Sequence, residues 1–212
     1  MQAERIPLAT LLDGPLSDGA MAQVAARIRE KAVFVYPTDT IYGIGGIVDT
    51  EVERRIIRAK KRPPENPMLL VAARAEAFAP LGLVFNDTAK ALADAFWPGS
   101  LTLVLRCRAT QTGVGVRLSS HPFITGLSGV FDTVLYSTSA NISGQPYVND
   151  PDVIYDTLRG NIDFMVDAGA LPPCAPSTLA EVGDDGVVRI IRQGAVSKER
   201  IASVAGRRMV LQ

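Results

Sequence analysis

Histidine is nearly missing from this 212-residue chain, in which His121 stands alone. A Ser-His-Asp triad would have to use that residue, directly before Pro122, and a metal site built from several histidines is impossible. Two cysteines, Cys107 and Cys174, are too few for a disulfide scaffold and lack the spacing of a zinc knuckle, so they read as reduced thiols. Net charge is missing as well: 22 basic residues balance 22 acidic ones. Nothing in that total points to an obligate polyanion binder or a membrane-surface protein, and any basic site must be local. No stretch approaches the roughly 20 apolar residues that a spanning helix needs, and MQAERIPLAT has no apolar signal-peptide region. A cytoplasmic address is the expectation. Chemistry is left to Lys, Arg, hydroxyls, carboxylates and backbone, and no protein metal ligand set is expected.

What is present supports a sizeable core. The chain is 47% hydrophobic, and its length suits one domain, expected over residues 1–212. Val24 and Ile28, four apart among Ala and Arg, predict an amphipathic helix over 20–31. A β-branched and aromatic run at 33–36, ended by Pro37, predicts a buried strand, with PTDTIYGIGG after it as a loop. Val52, Ile56 and Ile57 share a helical face over 51–61, Glu51 and Glu53 suit its first turn, and Pro63-Pro64 stops it. Strands are predicted at 68–72, 101–105, around Val116 and at 134–137, with helices at 87–97, after His121 and at 151–159. Strands near 164–167, 178–182 and 187–192 precede a final helix from Ser197. Helices and strands alternate early and strands cluster late, so the expected class is α/β with a mixed parallel/antiparallel sheet.

Three segments carry chemistry. Between Arg54 and Arg62 lie Arg54, Arg55, Arg58, Lys60, Lys61 and Arg62, with no acid. Such a run alone is usually a solvated face, but Lys60 and Arg62 sit where the helix ends and side chains can converge, offering a point charge and a planar fork to phosphates. YSTSANISG at 136–144 places small hydroxyl residues at a strand end, where they suit phosphate or carboxylate oxygens; alone it reads equally as a polar turn. PTDTIYGIGG carries Thr38, Asp39 and Thr40 among Gly43, Gly45 and Gly46. It lacks the Gly-Lys-Ser/Thr of a Walker loop and the spacing of a dinucleotide fingerprint, and a plain loop is an equal reading.

Their order along the chain is more specific than any one of them. Pro37-Thr38-Asp39-Thr40-x-Tyr42-Gly43, Lys60-x-Arg62-Pro63, Asn66-Pro67, Phe96-Trp97-Pro98-Gly99-x-Leu101-Thr102, Val116-Arg117, Ser137-Thr138-Ser139-Ala140-Asn141, Pro176-Ser177-Thr178 and Arg192-x-Gly194 follow one another. Over about residues 20–196 this resembles the YrdC-like family of threonylcarbamoyl-adenylate synthases, in its short single-domain form. The resemblance implies a twisted α/β domain with a large cationic cavity. It implies ATP contacts from Lys60, Arg62, Asn66, Ser139, Asn141 and Arg192, with Lys60 and Arg62 catalytic. It places L-threonine against Thr40, Arg117, Ser137 and Ser177, an assignment that suits a carboxylate seeking a bidentate Arg.

The implied reaction joins ATP, L-threonine and bicarbonate into threonylcarbamoyl-AMP and pyrophosphate, for N6-threonylcarbamoyladenosine in tRNA. Mg²⁺ is expected to arrive with ATP. Partners would be tRNA or downstream threonylcarbamoyl-transferase proteins, with no membrane. Val71 stands where relatives often carry a histidine, Gly113 where they carry a threonine, and Tyr147 where many have a serine. Asp39 reads either as an orienter of a neighbouring group or as a cap of its own loop. The alternative function is a non-catalytic RNA-binding module using the cavity as a groove, which needs aromatic stackers such as Phe96, Trp97 and tyrosines.

Overall fold

The computed structural model describes residues 3–13 and 17–209. The expected mixed α/β architecture is present as a ten-stranded sheet. Its strands are β1 (Glu4–Pro7), β2 (Phe34–Tyr36), β3 (Gly43–Ile47), β4 (Leu69–Ala72), β5 (Leu101–Arg106), β6 (Gly113–Leu118), β7 (Leu135–Ser139), β8 (Phe164–Asp167), β9 (Thr178–Val182) and β10 (Val188–Arg192). They lie in the order β1-β8-β2-β3-β7-β4-β6-β5-β9-β10. Parallel pairs such as β4/β6 and β5/β9 are mixed with antiparallel ones such as β3/β7 and β5/β6. The helices are α1 (Leu8–Leu12), α2 (Ser17–Arg29), α3 (Thr50–Lys60), α4 (Asp87–Phe96), α5 (Pro122–Val130), α6 (Pro151–Leu158) and α7 (Lys198–Ala205). Among the described residues no helix is long and apolar enough to cross a membrane.

Three apolar clusters hold these layers. On one side of the β2–β8 region, α2 and α5 bury Val24, Ile28 and Phe123 against Phe34 and Phe164, whose rings stack 4.9 Å apart. On the other, α3 and α6 bury Val52, Ile56 and Ile154 against Val35, Ile44 and Met165. Alternation along β2 explains the double cover: Phe34 serves one cluster, Val33 and Val35 the other. The third cluster puts Leu101, Leu103 and Leu105 of β5 with Leu92 of α4 and Ile201 of α7. Val104, between those leucines, faces a hollow instead.

The helix that delivers the basic residues is well specified. Asp49 caps α3 by accepting from the backbone N–H of Glu51 at 2.8 Å, Glu51 and Glu53 occupy the first turn, and Lys61 closes the helix in the left-handed region at φ 50°. Val52, Ile56 and Ala59 face the core.

One expectation needs correction. The segment read as a loop over 37–46 becomes strand β3 from Gly43 onward, paired with β2 and β7. Its glycines serve close packing rather than looseness. A Cβ on Gly45 would stand 1.9 Å from the carbonyl oxygen of Tyr136 on β7. The short β1 and α1 are additions to the sequence reading, too brief to show a period.

Candidate functional site

A hollow of about 600 Å³ opens where several strands end. The Thr38–Thr40 turn after β2 enters from one side; its Thr38 Oγ1 donates to the carbonyl of Ile41 at 2.7 Å and lies 3.3 Å from Thr40 Oγ1. Arg62 enters just beyond α3. Its guanidinium is anchored on backbone carbonyls, Nη2 to Pro67 at 2.9 Å and Nε to Asn66 at 3.2 Å. Because these acceptors are neutral, the charge of Arg62 stays available to an anion. Ser137, Thr138 and Ser139 line the hollow from the end of β7.

The far wall comes from β6, β9 and β10. Arg117 on β6 is 3% exposed and donates through Nη1 to Thr40 Oγ1 at 3.2 Å. Arg192, closing β10, donates to the carbonyl of Ser177 at 2.9 Å, and Ser177 Oγ lies 2.8 Å from Thr102 Oγ1. Among the described residues three arginines line the cavity and no carboxylate does. Burial pulls the pKa of Arg62, Arg117 and Arg192 below the ordinary arginine value. A desolvated cationic lining of this kind attracts negative charge, and the nearest carboxylate, Asp39, stands 3.9 Å from the Arg117 guanidinium.

All four residues expected to hold L-threonine, Thr40, Arg117, Ser137 and Ser177, line this hollow together. So do Arg62, Asn66, Ser139 and Arg192 from the ATP set. Lys60 and Asn141 do not. Lys60 is 1% exposed, and its Nζ donates to the carbonyl of Ser139, to the carbonyl of Asn141 at 2.7 Å and to Asn141 Oδ1 at 3.3 Å. Burial, with the charge of Arg62 second, pushes its pKa down to about 7. Surrounded by acceptors, the amine donates in either charge state, and it braces the Ser139–Asn141 segment from behind. Asn141 completes the brace by accepting from Ser139 Oγ at 2.5 Å. In this arrangement both side chains are bonded to the Ser139–Asn141 segment and lie outside the lining of the hollow.

Sequence reasoning passed over the apolar floor of Val104, Leu179 and Ile191, with Gly113 and Gly115 between. Alternation along β5 was the available signal, since Val104 is the odd residue out among leucines facing the core. Of the three departures, Gly113 and Tyr147 line the hollow, whereas Val71 is fully buried in the core beside β2 and α5. Phe96 and Trp97 do not line this hollow. Trp97 packs on Phe78 and Phe85, and its indole N–H donates to the carbonyl of Leu101 at 2.7 Å. Of the aromatic residues that an RNA groove would stack on, Phe96 and Trp97 are therefore committed elsewhere, while Tyr42 and Tyr147 line the hollow. Among the described residues no group of three or more His, Cys, Asp or Glu could hold a metal ion.

Fold and site together define an open-sheet α/β protein with an arginine-lined, hydroxyl-rich hollow. Residues 26–194 match the Sua5_yciO_yrdC family, described as telomere recombination, and the chain belongs to that family. It is 33% identical over 200 residues to the threonylcarbamoyl-AMP synthase of Bacillus subtilis (strain 168), which covers 90% of this chain and 58% of that protein. It is 32% identical over 191 residues to the threonylcarbamoyl-AMP synthase of Pyrococcus abyssi (strain GE5 / Orsay), covering 86% of this chain and 56% of that one. The chain thus spans less than two thirds of the length of these relatives. The crystal structure of P. abyssi Sua5 complexed with L-threonine superimposes with a TM-score of 0.84 at 27% identity, over 99% of this chain and 63% of that chain.

Proposed function

We propose that this chain is an L-threonylcarbamoyladenylate synthase, a nucleotidyltransferase that makes threonylcarbamoyl-AMP and pyrophosphate from L-threonine, bicarbonate-derived CO₂ and ATP. The observation that carries the reading is the convergence of Arg62, Arg117 and Arg192 with Thr40, Ser137, Ser139 and Ser177 on one hollow that no carboxylate lines. Its relatives' names and the L-threonine bound by the P. abyssi protein support the choice of substrate.

In the proposed reaction the amine of threonine adds to CO₂ and loses a proton, giving a carbamate. A carbamate oxygen then forms a bond to the α-phosphorus of ATP as the bond to pyrophosphate breaks. Arg117 and the Thr40, Ser137 and Ser177 hydroxyls hold the amino acid. Arg62, with Asn66, Ser139 and Arg192, neutralises charge on the phosphates, so catalysis is positioning plus charge stabilisation. Lys60 and Asn141 act by keeping Ser139 in place. Mg²⁺ belongs to this proposal as a companion of ATP, held by phosphate oxygens and water because the lining residues offer it no carboxylate.

The product would serve N6-threonylcarbamoyladenosine formation on tRNA in the cytoplasm, through downstream threonylcarbamoyl-transferase proteins. The test is to incubate the protein with ATP, bicarbonate and each amino acid in turn and to look for the adenylate by mass spectrometry. The expected product mass appears with threonine; its absence with every amino acid refutes the assignment.

A further inference from the structure

Arg117 brings five N–H donors to the hollow, yet among the described residues its hydrogen bonding is confined to Thr40. Its Nε is buried without a partner. The carboxylate that faces it, Asp39, stops short: Oδ2 lies 3.9 Å from Nη2, beyond hydrogen-bond reach. What holds Asp39 back is a set of other bonds. Its Oδ1 accepts from the Ser120 backbone N–H at 3.1 Å and from Ser120 Oγ at 3.0 Å, and Oδ2 accepts from Ser119 Oγ at 2.6 Å. Ser119 Oγ in turn accepts from the His121 backbone N–H at 3.2 Å. These residues directly follow β6, whose penultimate residue is Arg117.

A direct bidentate pair would occupy one edge of the guanidinium fork and neutralise the charge offered to a ligand. No carboxylate at all would leave an almost fully buried cation uncompensated. The observed spacing avoids both outcomes. We propose that Asp39 is a positioning residue: tethered to Ser119 and Ser120, its carboxylate compensates the Arg117 charge at a distance that leaves the guanidinium free to receive the carboxylate of an amino-acid substrate. The proposal rests on the amino-acid reading of the hollow given above. Burial lowers the pKa of Arg117 while Asp39 opposes that shift, in keeping with the geometry.

The experiment measures calorimetric affinities for L-threonine, for L-threoninol, which has CH₂OH in place of the carboxylate, and for ATP. Wild-type protein prefers L-threonine to L-threoninol. Asp39→Asn weakens L-threonine on the order of tenfold or more while L-threoninol and ATP stay within about twofold, because only the carboxylate senses the lost charge. Asp39→Glu recovers part of the loss. Ser120→Ala, which removes one tether and keeps the charge, stays close to wild type. The inference is overturned if Asp39→Asn binds L-threonine normally, if it loses threonine and threoninol alike, or if Ser120→Ala matches its loss, since the last two mark a merely structural lock. Should Asp39→Asn not fold, Asp39→Glu decides by the same criterion, an equal loss of L-threonine and L-threoninol counting against the charge. A wild-type protein that shows no preference for threonine over threoninol sinks the amino-acid reading itself, a result distinct from the others.

Discussion

The ammonium nitrogen of Lys60 lies 2.7 Å from the carbonyl oxygen of Asn141, joining the last turn of α3 to the segment that leaves β7. Two further contacts, to the carbonyl of Ser139 and to Asn141 Oδ1, make the link a three-point brace. Lys60→Met leaves buried acceptors without donors, so we expect a stability loss of about 2–4 kcal/mol in urea denaturation. Turnover falls with it as Ser139 shifts. An unchanged denaturation midpoint would remove the brace from this account.

Arg62 differs in kind, since its backbone anchors are neutral and its charge faces the hollow. Arg62→Ala should lower the rate of pyrophosphate release by about 10²–10³-fold with the thermal midpoint little changed. Arg62→Lys keeps charge and loses the fork, and we expect it to restore only part of the rate. Full activity in Arg62→Ala would contradict the role given to this residue.

Gly45 tests the packing of β3 on β7. A methyl group there would need space already filled by the Tyr136 carbonyl, so Gly45→Ala should cost about 3 kcal/mol or more, or prevent folding. Soluble expression and thermal melting read this out. Near-wild-type melting would show that the two strands can separate cheaply.

His121 gives a pH signature. Its Nδ1 accepts from the backbone N–H of Phe123 at 3.2 Å and so caps α5 in the neutral form. Burial lowers its pKa below the ordinary 6.5, with Asp39 opposing and Arg117 assisting. The unfolded chain therefore binds this proton at higher pH than the folded one. The contribution is fully present above pH 6.5 and is lost as pH falls through the folded value. Melting temperatures from about pH 7.5 down to about pH 5 should drop more steeply for wild type than for His121→Asn, which keeps a capping oxygen and does not titrate. Parallel profiles would exclude the effect.

Much of this was legible in the residues, and what was not has identifiable causes. The last three strands fell near their expected places because β-branched runs bounded by turn residues leave few alternatives. Strand β3 was hidden because glycine reads as a turn former, and only the neighbouring strand reveals that these glycines make room for a carbonyl. Eight of the ten expected site residues share the hollow, since small hydroxyls at strand ends have little else to do. The direction of Lys60 could not be read. A helix end presents several faces, and the carbonyls that claim this ammonium lie some 80 positions later in the chain. The choice between the two readings of Asp39 likewise depended on Ser119 and Ser120, far away along the sequence.

The hollow draws on both ends of the matched region: Thr38 and Thr40 come from an early turn, Ser177 from the position directly before β9 and Arg192 from the end of β10. That last wall is held by the parallel pairing of β9 with β5. A chain truncated before Ser177 would lack Ser177, Leu179, Ile191 and Arg192 from the lining. A bound substrate should accordingly slow hydrogen exchange throughout the sheet instead of in a single loop.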